Sequence, residues 1–154
     1  MSSQIKGPAI LLDKVGYSVS RATATLPQTT TGALFTIAGG RVVLTGIVGE
    51  VTTIIQNQAN NTKLVATPTV GTAVDICAVL DIANKEVGCL FGVTGTFATA
   101  MVGANAGATV FPTATGIVLA TGTLRLSCAA SNTGSVKWIV TYIPLDVGAT
   151  MVAA

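Results

Sequence analysis

The feature that most constrains this chain is what its apolar residues do not do. They never recur at the 3–4-residue spacing that would give an amphipathic helix longer than two turns. Instead Val, Ile and Thr dominate, and these branched side chains are stiff at χ1 and suit a pleated surface. Seventeen glycines, with many Asn, Ser and Thr residues, break the chain every eight to twelve residues or so, the rhythm of a sandwich or barrel. The spacing predicts strands over Ala33–Ile37, Arg41–Gln56, Lys63–Thr67, Ala73–Ile82, Cys89–Thr94, Thr109–Phe111, Gly116–Ala129 and Ser135–Ile143. Thr94–Met101 reads as a loop or short helical turn, and Gly103–Ala108, all small residues and Asn, as a flexible tip or a tight contact surface. The expected fold is all-β, an antiparallel β-barrel or jelly-roll-like β-sandwich with an extended N-terminal segment.

The last two segments carry the clearest pattern. Leu124, Leu126 and Cys128 alternate with Arg125 and Ser127, and Val136, Trp138, Val140 and Tyr142 follow at the same period. Between them Ser131-Asn132-Thr133-Gly134 has turn chemistry, because Asn and Gly tolerate positive φ. This predicts a hairpin, and the apolar second strand is expected to be central. Arg41–Val51 is apolar on both faces, which predicts a cover on each side, the outer one a neighbouring subunit. Gly46 and Gly49 in that strand suggest the close approach of another backbone, or a bend.

The chain of 154 residues suits one domain, long enough to bury roughly 70% of its unfolded surface. Met1–Thr31 differs from the rest. It holds three of the eight basic residues, Lys6, Lys14 and Arg21, and ends in a Thr-rich stretch in which Pro27 and the preceding Leu26 favour extended chain. Residues 1–31 are read as an arm that docks elsewhere or as a first strand, and residues 32–154 as a single β domain. Leu26 and Pro27 are candidate contact residues of such an arm.

Only 9% of the residues are charged and 50% are apolar, against about 25% charged in ordinary domains. Such a chain either lies in a membrane or has its outside covered by partners. A spanning helix needs about 20 nearly continuous apolar residues; the greasiest stretch, Gly32–Val51, is interrupted by Gly39-Gly40, Arg41 and Glu50. An outer-membrane barrel would carry aromatic girdles, and aromatics are 5%. Ala9-Ile10-Leu11-Leu12 is too short for a secretory h-region, so assembly in a cytosol is expected. Eight basic and six acidic residues are scattered singly, leaving no footprint for nucleic acid.

The residues of catalysis are scarce. Histidine is absent, which removes His-based nucleophilic triads and the commonest metal ligand. Asp75 and Asp81 fall on one face of a predicted strand at about 20 Å separation, too far to act as a pair. No calcium loop or P-loop spacing occurs. Cys77, Cys89 and Cys128 lack metal or disulfide spacing and read as buried free thiols. No enzymatic activity, cofactor, metal or small-molecule substrate is expected. Trp138 reads as a core plug rather than a ligand platform. Arg41 and Arg125, each alone in an apolar strand, are candidates for subunit interface ion pairs.

Leu124–Ser131 is similar to a strand of immunoglobulin heavy-chain variable domains, but no later cysteine completes that pattern. A broader likeness runs through Thr25-Leu26-Pro27-Gln28-Thr29, Ala33–Ile37 with Gly39-Gly40-Arg41-Val42, and Leu126–Gly134 with Lys137-Trp138 and Tyr142–Asp146. In these strings the chain resembles small virion proteins of tailed bacteriophages, in particular head decoration (cement) proteins. The resemblance implies a β-barrel or sandwich on the head surface. It also implies a homo-oligomer, a homotrimer above all, seated where capsomers meet, with the major capsid protein as partner. Two other readings stand beside it: a tail or head-fibre component binding a host surface, and a small carbohydrate-binding β-module.

Overall fold

The computed structural model describes residues 15–105 and 107–154. The fold is all-β, as the sequence predicts, and takes the sandwich form rather than a closed barrel. Two antiparallel six-stranded sheets pack face to face. The first holds β1 (Tyr17–Thr25), β3 (Val42–Thr53), β7 (Leu90–Gly92), β8 (Val102–Ala104), β9 (Ile117–Leu119) and β11 (Ser135–Pro144). The second holds β2 (Thr31–Ala38), β4 (Asn61–Pro68), β5 (Val74–Asp75), β6 (Leu80–Asp81), β10 (Gly122–Cys128) and β12 (Thr150–Ala153). In the first sheet the order is β1-β11-β3-β7-β8, with β9 also on β3; in the second it is β12-β2-β10-β4-β5, with β6 also on β4.

From β1 to β4, and again from β9 to β12, each successive strand lies in the opposite sheet. This overturns the hairpin expected of the last long segments. β10 lies between β2 and β4, whereas β11 lies between β1 and β3. Ser131–Gly134 is therefore a crossing between layers rather than a hairpin turn. Its Asn132 is wholly buried, and its Nδ2 donates to the carbonyls of Gln56 and Gln58 in another crossing loop. The central position expected for β11 holds.

The alternation read from sequence sets the core. Val136, Trp138, Val140 and Tyr142 of β11 face Phe35 and Ile37 of β2, Leu64 of β4 and Leu124 and Leu126 of β10 across one continuous buried cluster. Trp138 stacks on Phe91 with ring centroids 6.2 Å apart, so it is a core plug. All three cysteines are buried and free.

Three expected strands take other forms. Gly116–Ala129 divides into β9 and β10, which belong to different sheets. The break comes at Gly122, whose φ of +151° lies outside the range that other residues adopt readily. Ala73–Ile82 contributes only the short β5 and β6, both paired to β4. Thr109–Phe111 is not a strand; it crosses the outside of the first sheet. At the start of the expected tip, Gly103 and Ala104 belong instead to β8, which pairs with β7. Of the segment read as arm or strand, Tyr17–Thr25 forms β1, an edge strand along β11; residues 1–14 lie outside the described residues.

Candidate interaction surfaces

The two outer faces of the sandwich differ in chemistry. On the second sheet the outward positions carry Lys63, Thr67, Thr123, Arg125 and Ser127, and Lys63 forms an ion pair with Asp75 at 2.6 Å. On the first sheet the outward positions of β3 and β11 include Val43, Val48, Ile139 and Ile143. Val48 and Ile139 are cross-strand partners, and Ile139 is 39% exposed.

Part of this apolar face is covered from within the chain. The Phe111 ring lies on Gly46, and Val110 and Thr109 lie on Gly92; a Cβ at either glycine would collide with them. Thr113 fixes the crossing, its backbone N–H donating to the Thr45 carbonyl at 2.8 Å. The close approach expected at Gly46 is thus made by an aromatic ring of the same chain, not by a backbone or another subunit. Gly49 meets the Trp138 ring on the inner face. Beside Phe111 the outer face holds, among the described residues, a groove of about 330 Å³, lined by Val15, Ser18, Val48, Phe111, Ile139 and Thr141.

The sequence-predicted contact residues fall in separate places. Arg41 precedes β3 at one end of the sandwich and pairs bidentately with Asp146, Nε and Nη2 donating to the two carboxylate oxygens at 2.9 and 2.8 Å. The backbone N–H of Arg41 donates to the same carboxylate at 2.8 Å. These hydrogen bonds hold the Asp146 carboxyl down at about 2. The Arg41 head is therefore already satisfied within the chain. Arg125 sits on the outer face of the second sheet, where Nη2 donates to the Thr31 carbonyl at 3.0 Å and Nε has no partner.

Leu26 is not an exposed arm residue. It is 3% exposed and belongs to the core, because the chain turns inward after β1 to reach the second sheet. Pro27 packs on Gly32. Both residues line a cleft of about 300 Å³ at the corner between β1 and β2, together with Gln28, Leu34, Trp138 and Arg21. Arg21 was not singled out by the sequence reading, although a signal was there. Tyr17, Val19 and Arg21 share one parity, and the pairing of Val19 with Val140 and Arg21 with Trp138 makes it the inward one.

The three cysteines are sheltered rather than activated. Burial pushes the thiols of Cys77, Cys89 and Cys128 up, which keeps them protonated and unreactive near neutral pH. Among the described residues no three His, Cys, Asp or Glu side chains cluster as a metal site, and no helix is long and apolar enough to cross a membrane. Compared with known protein families, curated proteins and solved structures, the chain matches none.

Proposed function

We propose that this chain is a structural virion protein, a decoration protein that stabilises a phage head by binding between capsomers as an oligomer. The observation that carries the reading is the apolar outer face of the first sheet. In a chain with 9% charged residues, one face of the sandwich shows Val43, Val48, Ile139 and Phe111, with the cross-strand partners Glu50 and Lys137 beside them, while the opposite face keeps Lys63, Asp75 and Arg125. Exposed contiguous apolar surface marks sites of association. A rigid sandwich that binds only the assembled lattice stabilises that lattice by mass action, and many copies make weak single contacts collectively firm. The resemblance of several strings to those of decoration proteins points the same way.

A carbohydrate-binding module would need aromatic rings gathered around one concavity. Here Phe97 and Phe111 line separate grooves, which disfavours that reading.

The test is to mix purified protein with phage shells that lack a decoration protein and to measure co-sedimentation, with light scattering of the free protein alongside. A homotrimer that saturates the shells is expected. The double variant Val48→Lys/Ile139→Lys should remain folded and lose both association and shell binding. A wild-type protein that stays monomeric and never attaches to a shell would overturn the proposal.

A further inference from the structure

We propose that the cleft at the β1–β2 corner is a carboxylate site, in which Arg21 receives an acidic side chain of a neighbouring protein in the assembly. Identifying that neighbour as the shell protein rests on the decoration reading; the site itself does not.

Arg21 occupies an inward position of β1, opposite the buried Trp138. Leu26, Pro27, Leu34 and Trp138 make one wall of the cleft apolar, Thr25, Gln28 and Thr30 are polar and uncharged, and among the described residues Arg21 is the only charged one lining the space. The Nε atom has essentially no solvent contact and no hydrogen-bond acceptor among the described residues. The two ion pairs among those residues, Arg41–Asp146 and Lys63–Asp75, use other cations. A guanidinium N–H that has left water without gaining an acceptor is unfavourable, and a shift of the side chain that lets it meet an incoming acceptor removes the penalty. The planar donor fork of arginine matches a carboxylate bidentately, and weak hydration makes it the cation suited to a partly desolvated interface.

The surroundings specify what carries the carboxylate. An Asp or Glu side chain brings a short apolar stem, for which the Leu26–Pro27–Leu34 wall is the complement. The cleft adjoins β1, which among the described residues pairs only with β11, so a neighbouring polypeptide has an edge to lie along. The net charge of +2 favours an acidic partner. Arg41 does not offer the same opportunity, because Asp146 already fills its fork.

Trp138, the single tryptophan, lines the cleft and reports on it. The first experiment titrates the free protein with butyrate and, separately, with the uncharged isostere butyramide at matched ionic strength. Trp138 fluorescence and the Arg21 Nε–H NMR signal are followed. A saturable response to butyrate is expected, absent with butyramide and absent in Arg21→Gln. No response, or equal responses to the two probes, would sink the site. The second experiment measures binding to undecorated shells. Arg21→Gln should weaken it about tenfold or more, and Arg21→Lys, which keeps the charge but loses the fork, should fall between. Lys63→Gln, with the same charge change on the outer face of the second sheet, should stay within about twofold. Equal losses from Arg21→Gln and Lys63→Gln would overturn the proposal by reducing it to bulk charge. Should butyrate saturate the cleft while the wild type ignores shells, the carboxylate site stands and the decoration reading fails.

Discussion

The indole of Trp138 lies against the backbone of its cross-strand partner Gly49, so closely that a Cβ at Gly49 would sit 2.7 Å from Cζ3. The glycine is a matter of space: any side chain there would occupy the volume of the ring. Because Trp138 also stacks on Phe91 at 6.2 Å, it cannot move aside without disturbing the strand beyond. Gly49→Ala is therefore expected to lower stability by about 1–3 kcal/mol, the usual range for overpacking a core. Urea unfolding followed by Trp138 fluorescence checks it, with a shifted midpoint and an unchanged slope expected. An unaltered midpoint would mean that the ring is not confined.

Asn60 should matter for a different reason. It is fully buried, its Oδ1 accepts from the backbone N–H groups of Ala129 and Ala130 at 2.9 and 3.1 Å, and its Nδ2 donates to the Ala130 carbonyl at 3.1 Å. These bonds satisfy the backbone where the chain leaves β10 for the other sheet. Asn60→Ala removes all three bonds at this part-buried corner, and a loss of roughly 1–3 kcal/mol is expected, since a typical hydrogen bond contributes about 0.5–1.5. Hydrogen exchange provides the check: the Ala129 and Ala130 amides should exchange faster in the variant under native conditions than those of β11.

The Arg41–Asp146 pair gives a pH signature. The Asp146 carboxyl titrates at about 2 rather than 3.8, so its folded value lies below its unfolded one. Its contribution to stability is complete above the unfolded value and is lost as pH falls from about 4 toward 2. The pair is exposed, so the effect on stability is small and screened by salt. Carbon NMR of the carboxyl through that window should show the depressed titration, and Arg41→Gln should return it toward 3.8. Asp81 is also lowered, by the backbone N–H groups of Asn60 and Ala83, and should not respond to Arg41→Gln. A joint shift of both carboxyls would show a general charge effect instead.

What the sequence by itself determined is the part that depends on one strand at a time. Period-two alternation placed Leu124, Leu126 and Cys128 inward on one strand and Val136, Trp138, Val140 and Tyr142 inward on another, because a pleated strand must show successive side chains to opposite faces. For Arg21 the rule gives only a shared parity with Tyr17 and Val19; that this parity is inward comes from the pairing of β1 with β11. What only the tertiary structure decided is which sheet each strand joins. Ser131–Gly134 has the chemistry of a hairpin turn, yet it carries the chain between layers, since Asn132 finds its acceptors at Gln56 and Gln58, more than seventy positions away. Likewise, nothing local in Thr109–Phe111 distinguishes a strand from a strap; the vacancies above Gly46 and Gly92 make it one. Side-chain direction follows from the geometry of a single strand, whereas sheet membership and the Arg21 cleft follow from contacts between residues far apart in the chain, which no local pattern encodes.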